Sequence, residues 1–257
     1  MPRIGNNGGL MGVRRVPGTG EASGIWDFDE QSIAKRAGIW PATGDPYWNN
    51  VSLLLPMNNG FQDIGPNSLP VTAYGNAQIS SAQGKWSGTS GYFGGSGYIN
   101  SPANDAFKFG FNDFTIEMWH YLPTSGTYPL YETNPIDSFG GRYNGFVLYI
   151  QNGVYRLFGD TNPLGDSSTS VTYNSWVHFA LVRSNNVGTY YINGVSSGTA
   201  SMASNYVNDS FTFGRFIDSN QNNAPGLTGY INDLRVTKAA RYNTNFAPPT
   251  SGFPVGF

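Results

Sequence analysis

The sequence predicts an all-β protein, a sandwich of two antiparallel sheets, and three observations lead to this prediction. Charged residues make up only 12% of the 257 residues, whereas long amphipathic helices need charged residues on their exposed faces. The 34 glycines and 16 prolines supply turn residues along the whole chain. Between these turns lie short runs of aromatic and β-branched residues, which are typical of strands.

The first 22 residues predict an arm that lies outside the sandwich. They are rich in glycine, contain the pair Arg14 and Arg15, and show no apolar periodicity, so they cannot bury enough surface to fold alone. Such a segment either stays an unfolded tail or becomes ordered against a partner chain. We favour the ordered arm, because the residues that follow carry many apolar side chains.

A short helix is predicted after this arm. Asp27 and Glu30 fit a capping box, and residues 30–37 favour a helix of about two turns. An isolated helix of this length is unstable in water, so the apolar side chains around it need a cover. They pack either on the chain's own sandwich or on another subunit. In the second case the predicted anchor consists of Arg14, Arg15, Trp26, Phe28, Ile33, Ile39 and Trp40.

We therefore divide the chain into an anchor over residues 1–45 and a sandwich over residues 46–257. Turn chemistry supports three hairpins in the sandwich, at Asn152-Gly153, Asn185-Asn186 and Asn193-Gly194, because Asn and Gly accept the positive φ of tight hairpin turns. Twelve strands are predicted, at 51–57, 71–79, 91–99, 114–122, 129–132, 145–151, 155–159, 171–173, 176–183, 188–192, 211–215 and 226–237.

Seven motifs follow one another after the linker, over about residues 51–250. They are VSLLLPMNNG, FQDIGPNSLPVTAYGNAQIS, GYFGGSGYINSP, DFTIEMWHYLP, NSWVHFALVRSNNVGTYYINGVSSG, FTFGR and GYINDLRVTKAARYNTNFAPPT. This series resembles the laminin G-like branch of the concanavalin A-like lectin/glucanase superfamily, in the form found in virion proteins of tailed bacteriophages. The resemblance implies a jelly-roll sandwich whose VSLLL and GYINDLRV strands pair, and a face that related domains use for sugars or protein ligands.

No catalytic site is predicted. Glucanases of the superfamily use two glutamates on one strand, and this chain has no such pair. Asp113 lies four residues before Glu117, but it suits the turn that begins the strand. His120 and His178 each fit a strand pattern, so we expect interior or interface histidines with satisfied hydrogen bonds rather than a ligand or a base.

Ligands are predicted from the aromatic side chains and the loop aspartates. Alternation along residues 114–121 places Trp119 and Tyr121 on one face, and Tyr149 and Tyr191 are expected nearby. Such rings suit a saccharide, although aromatic side chains in a sandwich more often belong to the core. We expect no cofactor, with calcium left open at four loop residues. These are Asp63, Asp160, Asp166 and Asp218.

Charge and composition limit the partners. A net charge of −2 gives no basic field for nucleic acid, and no apolar run or leader indicates a membrane span or a secreted chain. The absence of cysteine excludes disulfides. We expect a protein made in the host cytoplasm that acts in the virion, with other capsid or tail proteins as partners of its N-terminal arm. A homo-oligomer is compatible with this interpretation.

The first functional hypothesis is a virion structural protein on the particle surface, of the capsid-decoration or head-fibre type, because the chain lacks the heptad repeats of a long fibre shaft. The second is a carbohydrate-binding module of a tail fibre that recognises host surface glycans, and it predicts that Trp119→Ala abolishes binding without loss of fold. A third, glycoside hydrolysis, would require turnover that is lost in Glu117→Gln.

Overall fold

A computed structural model of the chain describes residues 44–133, 142–160, 162–216 and 226–256. Contacts divide the chain into two compact units, Met1–Pro46 with Gly256–Phe257, and Tyr47–Val255. The second unit is the sandwich described below. The helix predicted over 30–37 and all seven anchor residues lie outside the described residues. Within the described ranges, no helix is long and apolar enough to cross a membrane.

The described chain is almost entirely β-structure, with only short 3-10 helices at Trp48–Asn50 and Asp105–Phe107. Its strands are β1 (Val51–Leu55), β2 (Thr72–Tyr74), β3 (Gln78–Ser80), β4 (Ser90–Gly94), β5 (Tyr98–Ser101), β6 (Phe114–Tyr121), β7 (Tyr128–Glu132), β8 (Arg142–Gln151), β9 (Val154–Asp160), β10 (Asn162–Asp166), β11 (Trp176–Ser184), β12 (Val187–Ile192), β13 (Val195–Ser201), β14 (Phe211–Phe213) and β15 (Thr228–Thr237).

These strands form two antiparallel sheets. The eight-stranded sheet has the order β13-β12-β11-β6-β15-β4-β3, and β1 pairs with β15 outside this path. The seven-stranded sheet has the order β10-β9-β8-β7-β14-β5-β2. The predicted all-β sandwich is therefore confirmed. The VSLLL and GYINDLRV strands pair as expected, with Val51 opposite Thr237.

Several predicted strands have different bounds. The strand predicted over 71–79 is two short strands, β2 and β3, which belong to different sheets. The strand predicted over 91–99 is broken at Gly95. Gly95 has a φ of 84°, so the chain turns there and carries β4 and β5 into different sheets. Residues 171–173 form no strand, whereas β10 and β13 were not predicted.

The three predicted hairpin turns are confirmed. Asn152 and Gly153 join β8 to β9 with φ values of 54° and 77°. Asn185 and Asn186 join β11 to β12 with φ values of 51° and 66°. The third turn, at Asn193-Gly194, joins β12 to β13. Positive φ at both central residues is what a twisted two-residue hairpin requires.

The main core lies between the two sheets and is rich in aromatic rings. Phe114 of β6 stacks on Phe109 at 4.2 Å and on Phe146 of the opposite sheet at 5.5 Å between ring centroids. Phe114, Ile116 and Met118 alternate along β6 and are fully buried. Burial of each such side chain stabilises the fold by about 1.5–3 kcal/mol.

Part of the outer face of the eight-stranded sheet is also covered. Residues 238–255, which we call the C-terminal cover, lie against it. Tyr242 and Phe246 of this segment stack on each other at 3.5 Å and pack against Tyr191. Phe253 packs against Val51 and Leu54 of β1. Both faces of β1 are therefore buried along its whole length.

Candidate functional site: an aromatic row on the eight-stranded sheet

One end of this outer face carries a row of four aromatic side chains, one from each of four neighbouring strands. Tyr92 of β4 lies opposite Tyr230 of β15, and Tyr230 lies opposite Tyr121 of β6. Tyr121 in turn lies opposite Trp176 of β11. Because directly paired residues on neighbouring antiparallel strands point to the same face, the four rings form one line across the sheet. We call these four residues the aromatic row.

The rings of the row are close to one another and remain half-exposed. The centroid of Tyr230 is 5.0 Å from that of Tyr92 and 6.0 Å from that of Tyr121. The distance from Tyr121 to Trp176 is 5.9 Å. On each strand a residue adjacent to the ring points into the core, so the ring positions are fixed from below. These core residues are Phe93, His120, Val177 and Ile231.

Residues 84–87, which we call the Lys85 loop, lie beside the row. The backbone N–H of Lys85 donates to Asn232 Oδ1 at 2.9 Å, and Trp86 Nε1 donates to Asp233 Oδ2 at 2.5 Å. Asn232 of β15 lies opposite Trp119 of β6, and these two residues are two positions from Tyr230 and Tyr121 on their respective strands. The loop therefore covers the line of residues next to the row, and Lys85 Nζ lies 3.9 Å from the centroid of Trp119.

The four predicted ligand-binding residues do not form one site. Tyr121 belongs to the aromatic row, but Trp119 is only 6% exposed beneath Lys85 and Trp86. Tyr191 lies on the same outer face under the C-terminal cover. The expectation that Tyr149 is nearby is wrong, because β8 belongs to the seven-stranded sheet.

Glu117 lies at the centre of a buried polar cluster on the same outer face. Its Oε1 accepts a hydrogen bond from Arg235 Nε at 2.9 Å, and its Oε2 accepts one from the Tyr242 hydroxyl at 2.9 Å. Arg241 Nε lies 3.5 Å from Oε1. Burial alone would raise the pKa of Glu117, but the nearby charges, above all Arg235, hold it well below its usual range. Both carboxylate oxygens are thus engaged in cross-links between the sheet and its cover.

Both histidines are buried, as predicted, but the expectation of satisfied hydrogen bonds is wrong for His178, whose ring nitrogens have no hydrogen-bond partner among the described residues. His120 Nε2 lies 2.5 Å from the Tyr155 hydroxyl of the opposite sheet, and burial lowers the pKa of His120 to about 3. His178 Nε2 lies 3.4 Å from Glu117 Oε2. This is an electrostatic contact without hydrogen-bond geometry. Asp113 accepts a hydrogen bond from the Asn185 backbone N–H, in keeping with its predicted turn role.

The described residues contain no group of three side chains that could hold a metal ion. Asp63 Oδ1 accepts from the N–H groups of Leu54 and Gly65, and its Oδ2 accepts from Leu69. Asp166 pairs with Arg156 at 2.9 Å. The side chains of Asp160 and Asp218 lie outside the described residues, so calcium binding stays a prediction.

Sequence reasoning missed three of the four rings in the row. Tyr92, Tyr230 and Trp176 each come directly before a core residue, so alternation alone would have placed them on an outer face. Which residues on distant strands lie opposite one another depends on strand order and register, and no local pattern records either. The ring planes of the row are tilted against one another by 42° to 76°. Rings that carry hydroxyl and indole N–H groups suit a ligand that is apolar on its faces and polar at its edges.

Comparison with known proteins agrees with this architecture. Residues 93–244 match a family model described as the concanavalin A-like lectin/glucanases superfamily. No curated protein sequence matches the chain.

Three similar solved structures are binding domains or part of a glycosidase. The binding domain of Paraclostridial Mosquitocidal Protein 1 has a TM-score of 0.60 and 17% identity, over 76% of this chain and 50% of that one. A second structure is Domain 4 of AbnA, a GH43 extracellular arabinanase from Geobacillus stearothermophilus, in complex with arabinotriose. It has a TM-score of 0.56 and 21% identity, over 74% of this chain and 93% of that one. The binding domain of Botulinum Neurotoxin DC in complex with SialylT has a TM-score of 0.55 and 13% identity, over 76% of this chain and 50% of that one.

The chain thus spans about half the length of the toxin binding domains that it resembles, and at these identities the likeness concerns the fold. The family match covers more than half of the chain and includes three of the four strands of the aromatic row, β6, β11 and β15. The chain belongs to the concanavalin A-like lectin/glucanases superfamily.

Proposed function

We propose that the protein is a non-catalytic binding module that holds an extended saccharide along the aromatic row. The observation that carries this proposal is the line of four half-exposed rings, with neighbouring centroids 5.0–6.0 Å apart, on four hydrogen-bonded strands. A sugar ring presents C–H groups on its faces and hydroxyls around its edge. Aromatic faces with polar groups beside them match this pattern.

The surroundings of the row provide both rigidity and hydrogen-bonding groups. Each ring is held by a strand of the sheet, so little conformational entropy is lost when a ligand binds. The exposed Gln78 of β3 lies directly opposite Tyr92 and extends the line by one strand. The phenol hydroxyls and this amide can donate to or accept from sugar hydroxyls.

A catalytic role is not part of this proposal. Glu117, the glutamate nearest in sequence to the row, is fully buried and cross-linked to Arg235 and Tyr242. A carboxylate in this state cannot reach a glycosidic bond or accept a proton near neutral pH. Two similar solved structures, by their descriptions, contain bound arabinotriose or SialylT, which supports a binding function on this fold.

The test is binding of the full chain to an array of oligosaccharides, followed by calorimetry with the best ligand. We expect Tyr230→Ala and Trp176→Ala to weaken binding about fivefold each, because a stacked ring contributes about 1 kcal/mol. Tyr74→Ala is the matched control, since Tyr74 is a 43% exposed tyrosine on the other sheet. Absence of any saccharide binding, or equal losses in the control, would contradict the proposal.

We also propose that this module is displayed on a bacteriophage particle and attached through residues 1–45. The support is the resemblance of GYINDLRVTKAARYNTNFAPPT to phage virion domains, together with the completeness of the sandwich in Tyr47–Val255. Deletion of residues 1–45 should leave a folded sandwich that no longer incorporates into particles. Incorporation of the deleted protein at the normal level would exclude this mode of attachment.

A further inference from the structure

Lys85 is a cation placed directly beside the aromatic row. Its backbone is fixed to Asn232, which is two residues from Tyr230 on β15. Its Nζ lies over Trp119, which is two residues from Tyr121 on β6. Two residues along a strand correspond to about 7 Å, which is within the reach of a substituent on a sugar bound at the row.

The ammonium of Lys85 lies against aromatic rings. Nζ lies 3.9 Å from the centroid of Trp119 and 4.9 Å from that of Trp86. Among the described residues no carboxylate forms an ion pair with it, whereas Lys108, for example, pairs with Asp105 at 2.7 Å. Burial lowers the pKa of Lys85, because part of its water is replaced by ring faces and no carboxylate compensates for the loss.

The other charged groups near the Lys85 loop are already neutralised or buried. Asp233 is 3% exposed and accepts the Trp86 N–H. Glu117 and Arg235 pair with each other under the C-terminal cover, with a 2.8 Å contact between Arg235 Nη2 and Oε1. These groups are buried, whereas Lys85 is partly exposed, so the charge that a ligand on the row can contact is positive.

We propose that the ligand of the aromatic row is an acidic saccharide, whose sugar rings lie on the tyrosines while a carboxylate contacts the Lys85 ammonium. This inference rests on the proposed saccharide-binding function and adds the charge class of the ligand. A lysine is a flexible point charge, so it selects for an anionic group without fixing one sugar geometry. The contact with two indole faces limits the volume through which Nζ moves and holds it at the edge of the row.

The experiment measures binding of matched saccharides that differ only in charge. The probes are a trigalacturonate and its methyl ester, and a sialylated trisaccharide and its desialylated form. The variants are Lys85→Gln, which removes the charge, and Lys85→Arg, which keeps it. Lys108→Gln is the control, because it changes the net charge equally at an exposed lysine that already has a carboxylate partner.

We expect the wild-type protein to bind the acidic member of at least one pair about five- to tenfold more tightly than the neutral member. This is the size of effect expected for one partly exposed hydrogen bond to a charged group. Lys85→Gln should bind both members equally, while Lys85→Arg and Lys108→Gln keep the preference. The preference should also decrease as salt is raised. Equal binding of both members by the wild type, or a preference that survives Lys85→Gln, would overturn the inference.

Tyr230→Ala separates this inference from the proposed function. If the row is the binding site, Tyr230→Ala weakens binding of the acidic and the neutral member alike. If the wild type binds neutral and acidic saccharides equally and Tyr230→Ala binds neither, the saccharide site is supported and the proposed charge preference is wrong. If Tyr230→Ala has no effect on either member, the site itself is wrong.

Discussion

Two buried carboxylates on the outer face of the eight-stranded sheet have pKa values shifted in opposite directions. Glu117 is held ionised by Arg235 and its neighbours, so its pKa is lowered. Asp233 is 3% exposed, and burial raises its pKa to about 6, although the Trp86 N–H and Arg235 favour the ionised form. The difference follows from the number of cations that each carboxylate faces.

The Glu117 cluster should be important for stability. Glu117→Gln leaves Arg235 and Arg241 buried beside a neutral side chain, and loss of one partner in a buried ion pair costs about 3–5 kcal/mol. We expect a decrease of this size in the free energy of unfolding measured with urea. Asp166→Asn is the control, because its pair with Arg156 is partly exposed, at 39% and 26%, and should contribute less than about 1 kcal/mol. Equal effects of the two substitutions would contradict this account.

Asp233 should make stability depend on pH in the opposite sense from most carboxylates. Its folded pKa of about 6 is above the ordinary value of 3.8. The folded protein therefore binds the proton more tightly than the unfolded chain, and this contribution to stability decreases as the pH rises from about 4 to about 6. Asp233→Asn should remove this dependence, about 1.4 kcal/mol per pH unit at most.

The measurement compares unfolding free energies of the wild type and Asp233→Asn between pH 4 and pH 7. Asn suits the substitution because residue 233 has a φ of 51°, which Asn accepts better than most residues. Its amide oxygen can also still accept the Trp86 N–H. Identical slopes for the two proteins would show that Asp233 titrates normally in the folded state.

At the scale of elements, local sequence chemistry predicted the turns well and the strand ends less well. Asn-Gly and Asn-Asn pairs identify three hairpins, because few other residues accept two successive positive φ values. The break between β4 and β5 was missed, since the run GYFGGSGYI has the same alternation on both sides of Gly95. Only tertiary structure decides that the two halves belong to different sheets.

The turn between β12 and β13 also makes a tertiary contact. Gly194 has a φ of 76°, and a Cβ at this position would overlap the carbonyl oxygen of Phe246 in the C-terminal cover. The Phe246 N–H donates to the Gly194 carbonyl at 2.9 Å. This glycine therefore satisfies two requirements, a left-handed backbone and a close approach of another segment.

We expect Gly194→Ala to destabilise the protein by about 2–4 kcal/mol, from backbone strain plus displacement of the cover. Gly153→Ala is the matched control, because Gly153 has a φ of 77° in an equivalent turn with open space around its Cβ position. It should cost only the backbone strain, about 1–2 kcal/mol. Thermal unfolding of both variants measures the difference. Equal losses would mean that the contact with Phe246 contributes nothing.

At the scale of the whole molecule, composition and motif order were sufficient to predict the sandwich, but not which parts of its surface are open. The alternation along β6 correctly placed Trp119 and Tyr121 on one face. It could not show that residues 238–255 fold back over Glu117, or that Lys85 and Trp86 cover Trp119. Both covering segments are loops without periodicity, so their contacts are set by the complete fold. Trp119→Ala is thus expected to disturb packing.

The two ends of the sequence should therefore differ in their importance for the sandwich. Deletion of residues 1–46 leaves every described strand pair and all three apolar clusters within Tyr47–Val255. Deletion of residues 239–257 removes Tyr242, Phe246 and Phe253, each of which contributes about 1.5–3 kcal/mol by burial. It also removes the partners of Glu117 that come from the cover.

We expect the N-terminal deletion to keep its melting temperature within a few degrees of the full chain. The C-terminal deletion should lower it by more than about 10 °C, since 1 kcal/mol corresponds to about 2–4 °C for a domain of this size. Circular dichroism of both truncated proteins measures the melting temperatures, and near-ultraviolet spectra report the packing of the aromatic rings. If the C-terminal deletion melts like the full chain, residues 239–257 are not part of the folded core. If the N-terminal deletion unfolds, residues 1–46 are required for the sandwich.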